Sequence, residues 1–219
     1  MMADRGEAGV NLKCAPLPFS PVAEHTMVMP SSARVWTAAE VREMQDESHA
    51  WPRFELIDGE LLVTPSPRRV HQRAVGLLHY MLYPYVNRYG IGEVEISPAD
   101  IELVPETIVQ PDVFVSPLVD GRVSLDWGDT KSLLLAAEVV SPSNPRNDRV
   151  TKRRFFMRVA VAEYWVVDTD ARIIERNRAG VEGVEILDRT LTWAPAGAPE
   201  AFVLDLVAFF ATVHGEERK

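Results

Sequence analysis

The chain has 219 residues, 47% hydrophobic and 25% charged, which excludes wholesale disorder, collagen-like repeats and coiled coil and suits one domain with a sizeable core. A single cysteine, Cys14, excludes an intrachain disulfide framework and fits a reducing compartment. With 23 Lys+Arg against 32 Asp+Glu the formal net charge is −9, which excludes a general nucleic-acid coating protein and leaves only a local basic patch for that purpose.

Residues 1–33 read as a flexible tail, broken at Pro16, Pro18, Pro21 and Pro30, with Met27 and Met29 as alternative starts. Asp4, Arg5 and Glu7 make it unlike a secretory signal. Thr37 and Glu40 form a capping-box pattern that opens a helix to about Gln45. A hairpin follows: 54–57, the Asp58-Gly59 turn and 60–63, with Phe54 opposite Val63 and Leu56 opposite Leu61. Glu55, Ile57, Glu60 and Leu62 share the other face, and Glu60, directly after the turn, is expected to point away from the most apolar surface. From Ser66-Pro67 or slightly later, Val70, Ala74, Leu77, Leu78, Met81, Leu82, Tyr85 and Val86 recur at helical spacing. Pro84 should kink or shorten the end of that helix.

Strands are expected over 93–96, 100–104, 109–115 and 133–140, with Pro98 at a bulge or corner. The last of these is nearly all apolar and should be central, covered on both faces and ended by the 141–145 segment. A helix over 148–159, a strand over 163–168, a β-meander over about 172–206 and an amphipathic end over 204–213 complete the order. It predicts an α/β (α+β) protein: a mixed central sheet flanked by helices, one domain over 34–213, and a short C-terminal tail at 214–219. The apolar runs are far below the roughly 18 residues of a membrane span. No membrane attachment and a cytoplasmic location are expected.

Glu138 is the central anomaly, a carboxylate inside the apolar run 133–140. Buried there, it loses several kcal/mol of hydration unless it is paired or bound to a cation. The bland alternative is a solvent-facing position or a salt bridge. Asp112 is a second acid in an apolar strand, although Pro-Asp is also a common strand start. If the two strands are neighbours, these carboxylates converge, and a divalent cation resolves their repulsion; Mg²⁺ prefers such oxygen ligands. Lys152 shares a helix face with Phe155, Phe156 and Val159, so it sits on the inward stripe or snorkels at its edge. Arg146, Arg149 and Arg153 lie in the same short basic window, as a solvated face or as phosphate contacts.

Several motifs stand in order: Phe54-Glu-Leu-Ile-Asp-Gly-Glu-Leu, His71-Gln-Arg, Val109-Gln-Pro-Asp-Val, Ala137-Glu-Val-Val-Ser-Pro-Ser, Asp148-Arg-Val-Thr-Lys and Ala162-Glu-Tyr-Trp-Val-Val-Asp. Together, over about 34–212, they resemble the Uma-type family of restriction-endonuclease-like proteins, a branch of the PD-(D/E)XK nucleases. The resemblance implies a restriction-endonuclease-like core of helix, three strands, helix and strand, with the N-terminal hairpin added. Asp112 matches the motif aspartate and Glu138 the acid of the (D/E)XK strand. Val140 stands where the parent superfamily has lysine, and Lys152 matches a lysine displaced onto the next helix. Glu60 and His71 match further polar positions, as water-mediated metal contacts, proton acceptors or phosphate contacts.

The implied activity is a Mg²⁺-dependent endonuclease acting on DNA, with Mn²⁺ able to substitute. Asp112, Glu138 and the Val139 carbonyl would hold the ion, and Lys152 would stabilise the attacking water or the transition state. Arg146, Arg149 and Arg153 would contact the nucleic acid. A homodimer follows by analogy. The alternatives are a catalytically silent fold serving as an interaction or nucleic-acid-binding protein, and a different metal-dependent hydrolase.

Overall fold

The computed structural model describes residues 34–47, 51–140, 145–159 and 161–216. The expected tail at 1–33 and the segment 141–144 expected to end the central strand lie outside the described residues. The capping box forms at the start of α1 (Ala38–Glu47): Glu40 Oε2 accepts the Thr37 N–H at 2.9 Å, and Thr37 Oγ1 accepts the Glu40 N–H at 3.3 Å.

β1 (Arg53–Ile57) and β2 (Glu60–Thr64) pair in the expected register. Asp58 and Gly59 both take positive φ, 53° and 77°, as a tight two-residue hairpin turn requires. Both faces of this hairpin are covered. Leu56 packs with Val41 and Ile108 beneath α1, and Ile57 and Leu62 enter the core of the main sheet. Glu55 lies on the second face and is therefore carried into the interior.

α2 (Arg69–Tyr89) runs through Pro84 to a left-handed Gly90. Pro84 does not shorten it, because the proline is exposed and the buried stripe Ala74, Leu78, Leu82 and Val86 carries the helix past the missing N–H.

Six strands form the main sheet: β3 (Gly92–Ile96), β4 (Val113–Pro117), β5 (Leu135–Val139), β6 (Glu163–Asp168), β7 (Ile173–Arg178) and β8 (Glu185–Leu187), in that spatial order. Every neighbouring pair is antiparallel except β5–β6, which is parallel. A parallel pair needs a crossover, supplied here by a π-helical turn, Asn147–Lys152, leading into α3 (Arg153–Arg158). Alternation divides the strands between two cores. Val113, Val115, Leu135, Ala137, Trp165 and Val167 face α2 and α4 (Leu206–His214). Phe114, Ala136, Tyr164 and Val166 face Phe155 and Phe156 of α3 together with the hairpin. The result is a mixed α/β fold with a central six-stranded sheet flanked by helices.

Two expectations need correction. Residues 100–104 form no strand; Ile101 makes one isolated antiparallel bridge to Val109, and regular pairing resumes only at Val113. Pro98, Pro105 and Pro111 each lack the N–H a ladder needs, which overrides the alternation. The meander also divides. β7 and β8 extend the main sheet, while β9 (Thr190–Trp193) and β10 (Phe202–Asp205) make a separate pair. Leu191, Trp193, Phe202 and Leu204 bury on the α2 side instead. Among the described residues no helix is long and apolar enough to cross a membrane.

Candidate active site

The β4–β5 register, Val113 opposite Ala137, brings Asp112 beside Glu138 and Val139. Asp112 Oδ2 accepts the Val139 N–H at 3.0 Å. The same carboxylate is gripped from two other elements: Arg53 Nη2, at the start of β1, donates to Oδ1 at 2.9 Å, and His71 Nε2, in the first turn of α2, lies 3.0 Å from Oδ2. Glu138 projects from the sheet face that packs against α3 and the hairpin. Its Oε1 accepts from Lys152 Nζ at 2.9 Å.

Lys152 ends the π-helical turn, on the stripe that continues into Phe155 and Phe156. The inward placement brings its ammonium within 2.7 Å of Glu55 Oε2 and 3.9 Å of Asp148 Oδ1. Glu55 Oε1 accepts the Gln110 N–H at 2.7 Å. Exposure is 2% at Glu55, 5% at Asp112, 3% at Glu138 and 4% at Lys152. At such depth water cannot solvate the charges, so these side chains must satisfy one another or a ligand. The cleft above them is bordered by Thr64 and Pro65 of the hairpin's end and by Asn147.

The two central acids are driven apart electrostatically. Burial works against the Asp112 charge, but the His71 hydrogen bond and the charges of His71, Arg53 and Lys152 outweigh it and hold that carboxyl well below the usual range. Burial pushes Glu138 well above its ordinary value; the Lys152 ammonium offsets only part of this, and the neighbouring carboxylates add to it. Asp148 is pushed up to about 6, chiefly by burial. Burial opposes the Lys152 ammonium too, yet Glu138, Glu55, Asp148 and Asp112 together raise its pKa.

Of the expected site residues, Asp112, Glu138, Val139, Lys152 and His71 meet at this cleft. Glu60 does not. It is exposed, paired with Ile57 across the hairpin turn, and absent from the cleft wall. Arg149 is committed elsewhere, with Nη2 2.6 Å from Asp168 and Nε 2.6 Å from Glu175. Arg153 borders a different depression with Arg154, Met157 and Asn177. Arg146 is exposed one residue before Asn147.

Sequence reasoning missed Glu55, Arg53 and Asp148. The signal for Glu55 was present: a carboxylate between apolar neighbours on the face shared by Ile57 and Leu62, the same anomaly as at Glu138. Among the described residues no three His, Cys, Asp or Glu side chains form a ready-made metal shell. The donor set still suits a hard cation. Asp112, one residue before β4, and Glu138 on β5 line the same cleft, hard cations take oxygen ligands, and among the described residues the four carboxylates meet Arg53, His71 and Lys152.

Residues 38–207 match the model of the Uma2 family, described as "putative restriction endonuclease". The chain belongs to the Uma2 family. This is a nuclease family by its description. No curated protein matches the chain. Among solved structures, the Uma2 chain is similar to a protein of Anabaena variabilis described as a putative nuclease belonging to DUF820. The identity is 16% and the TM-score 0.64, over 79% of this chain and 98% of the other. At that identity the likeness concerns the fold.

Proposed function

We propose that the chain is a Mg²⁺-dependent endonuclease that hydrolyses phosphodiester bonds of DNA, with Mn²⁺ able to substitute. One observation carries this reading. Four carboxylates, Glu55, Asp112, Glu138 and Asp148, converge on two cations, Arg53 and Lys152. Counted as ionised, the four carboxylates exceed the two cations by two charges, which is the charge of one divalent ion. Asp112 and Glu138 would hold that ion with the Val139 carbonyl. When bound, it supplies a lowered pKa for a coordinated water and charge neutralisation at the phosphate.

The chain's own residues have distinct tasks. Arg53 and His71 fix the Asp112 carboxylate through both of its oxygens. Glu55 holds the Lys152 ammonium beside Glu138, where it opposes the negative charge that develops on phosphorus oxygens. Arg68 and Arg69, exposed at the start of α2, and Arg146 make no ion pair among the described residues, and they can contact backbone phosphates.

Conversion of supercoiled plasmid to nicked circles tests the proposal. Wild type should nick with Mg²⁺ or Mn²⁺ and stop with EDTA. Glu138→Ala and Lys152→Ala should lose about 10²-fold or more. Equal behaviour of all three proteins would favour a silent scaffold that binds without cutting.

A further inference from the structure

A second cleft, of about 310 Å³, adjoins the acidic one and shares Arg53, His71 and Asp112 with it. Trp51, Gln72, Val75 and the Ser97-Pro98 corner complete its wall. Trp51 is 37% exposed and belongs to none of the buried core clusters. The Arg53 guanidinium lies 4.9 Å from the indole centroid, within cation–π range. That guanidinium also donates to Asp112, so the ring is tied to the acidic centre through a single side chain. Gln72 is exposed, and its side-chain amide has no hydrogen-bond partner among the described residues. In the two shared residues Arg53 and His71, Nε and Nδ1 are buried and have no hydrogen-bond partner among the described residues.

This combination is not what a plain surface tryptophan shows. A partly exposed aromatic ring and a free side-chain amide flank carboxylates suited to hold a cation beside a phosphate. A nucleotide offers the matching groups in the matching order: phosphate, then sugar, then a flat base with polar edges. We infer that the second cleft is a nucleobase subsite. The Trp51 indole stacks on the base of the nucleotide next to the cleaved bond, and the Gln72 amide hydrogen-bonds its edge.

The inference rests on the nuclease reading and deepens it. A base can stack on a side chain only after leaving the duplex stack. The substrate class is therefore DNA with an unpaired nucleotide at the scissile position: a single strand, a frayed end, a flap or a transiently unpaired stretch of a supercoiled plasmid.

Binding of a short labelled oligothymidylate to the full chain, with Ca²⁺ in place of Mg²⁺, tests it. Trp51→Ala should weaken binding by roughly ten- to hundredfold, and Trp51→Phe should retain most of the affinity. An abasic site at the stacked position should weaken binding to wild type as much, and should not weaken binding to Trp51→Ala further. Oligonucleotide should quench tryptophan emission in wild type and quench it less in Trp51→Phe. Urea unfolding midpoints confirm that the variants are folded; if Trp51→Ala is not, the abasic and Trp51→Phe results decide. A wild type that nicks plasmid but is indifferent to the abasic site and to Trp51→Ala overturns the subsite alone. A wild type that neither nicks nor binds overturns the subsite and the nuclease reading together.

Discussion

Replacing Lys152 with methionine keeps most of the side-chain length and removes the only charge. In the wild type that ammonium lies 2.7 Å from Glu55, 2.9 Å from Glu138 and 3.9 Å from Asp148, in a site that excludes water. Removing one partner of a buried ion pair costs about 3–5 kcal/mol, because the remaining charge is left uncompensated. For a domain of this size each kcal/mol moves the melting temperature by about 2–4 °C, so Lys152→Met should melt roughly 6–20 °C lower at neutral pH. The sign with pH follows from the partners. The Lys152 pKa is raised in the folded protein, so its contribution is complete below the ordinary lysine value and spans the neutral range. Burial already pushes Glu138 up, and without the ammonium it rises further. The variant's loss is then greatest near about pH 8 and shrinks toward about pH 5, as the orphaned carboxyls take up protons. Urea unfolding followed by circular dichroism at both pH values measures this. Adding Glu138→Gln to Lys152→Met should recover part of the loss, since one orphaned charge disappears. Equal midpoints for Lys152→Met and wild type near pH 8 would refute the reasoning.

Three further outcomes are expected. Asp148, pushed up to about 6 by burial, pays for its ionisation in the folded state, so its effect on stability worsens as pH rises from about 4 through about 6. Asp148→Asn should therefore stabilise the metal-free protein near about pH 8 by at most about 3 kcal/mol, read as a higher urea midpoint, and leave it unchanged near about pH 3.5. Arg149→Ala should lower stability by about 1–2 kcal/mol through its lost ion pairs with Asp168 and Glu175, yet leave the salt dependence of DNA binding as in wild type. Arg146→Ala should do the reverse, reducing the slope of log affinity against log salt by about 1.

The legible parts of the fold are those fixed by local chemistry. Asp58-Gly59 sets the hairpin register because few residues tolerate two successive positive φ values. The stripe of Lys152, Phe155 and Phe156 gives the lysine's inward direction, and Glu138 stands out because its neighbours are all apolar. Harder cases depend on what covers a surface. Glu55 and Glu60 share a hairpin face by alternation, but only Glu55 lies under the main sheet; Glu60, at the turn, extends past the cover. Arg149 looks like a phosphate contact on a helical wheel, yet its partners Asp168 and Glu175 come from β6 and β7, which the sequence does not place beside it. The expected strand at 100–104 fails because three prolines surround an otherwise regular alternation.

Binding of Mn²⁺ to the purified chain, followed by calorimetry and by the loss of its free electron-spin signal, bears most directly on the acidic cluster. One ion per chain should bind to wild type, and Asp112→Asn and Glu138→Gln should each weaken it by at least about tenfold, as expected for the loss of a charged ligand from a hard-cation site. Undiminished binding in both variants, or no binding to folded wild type, would contradict the assignment of these carboxylates to a metal.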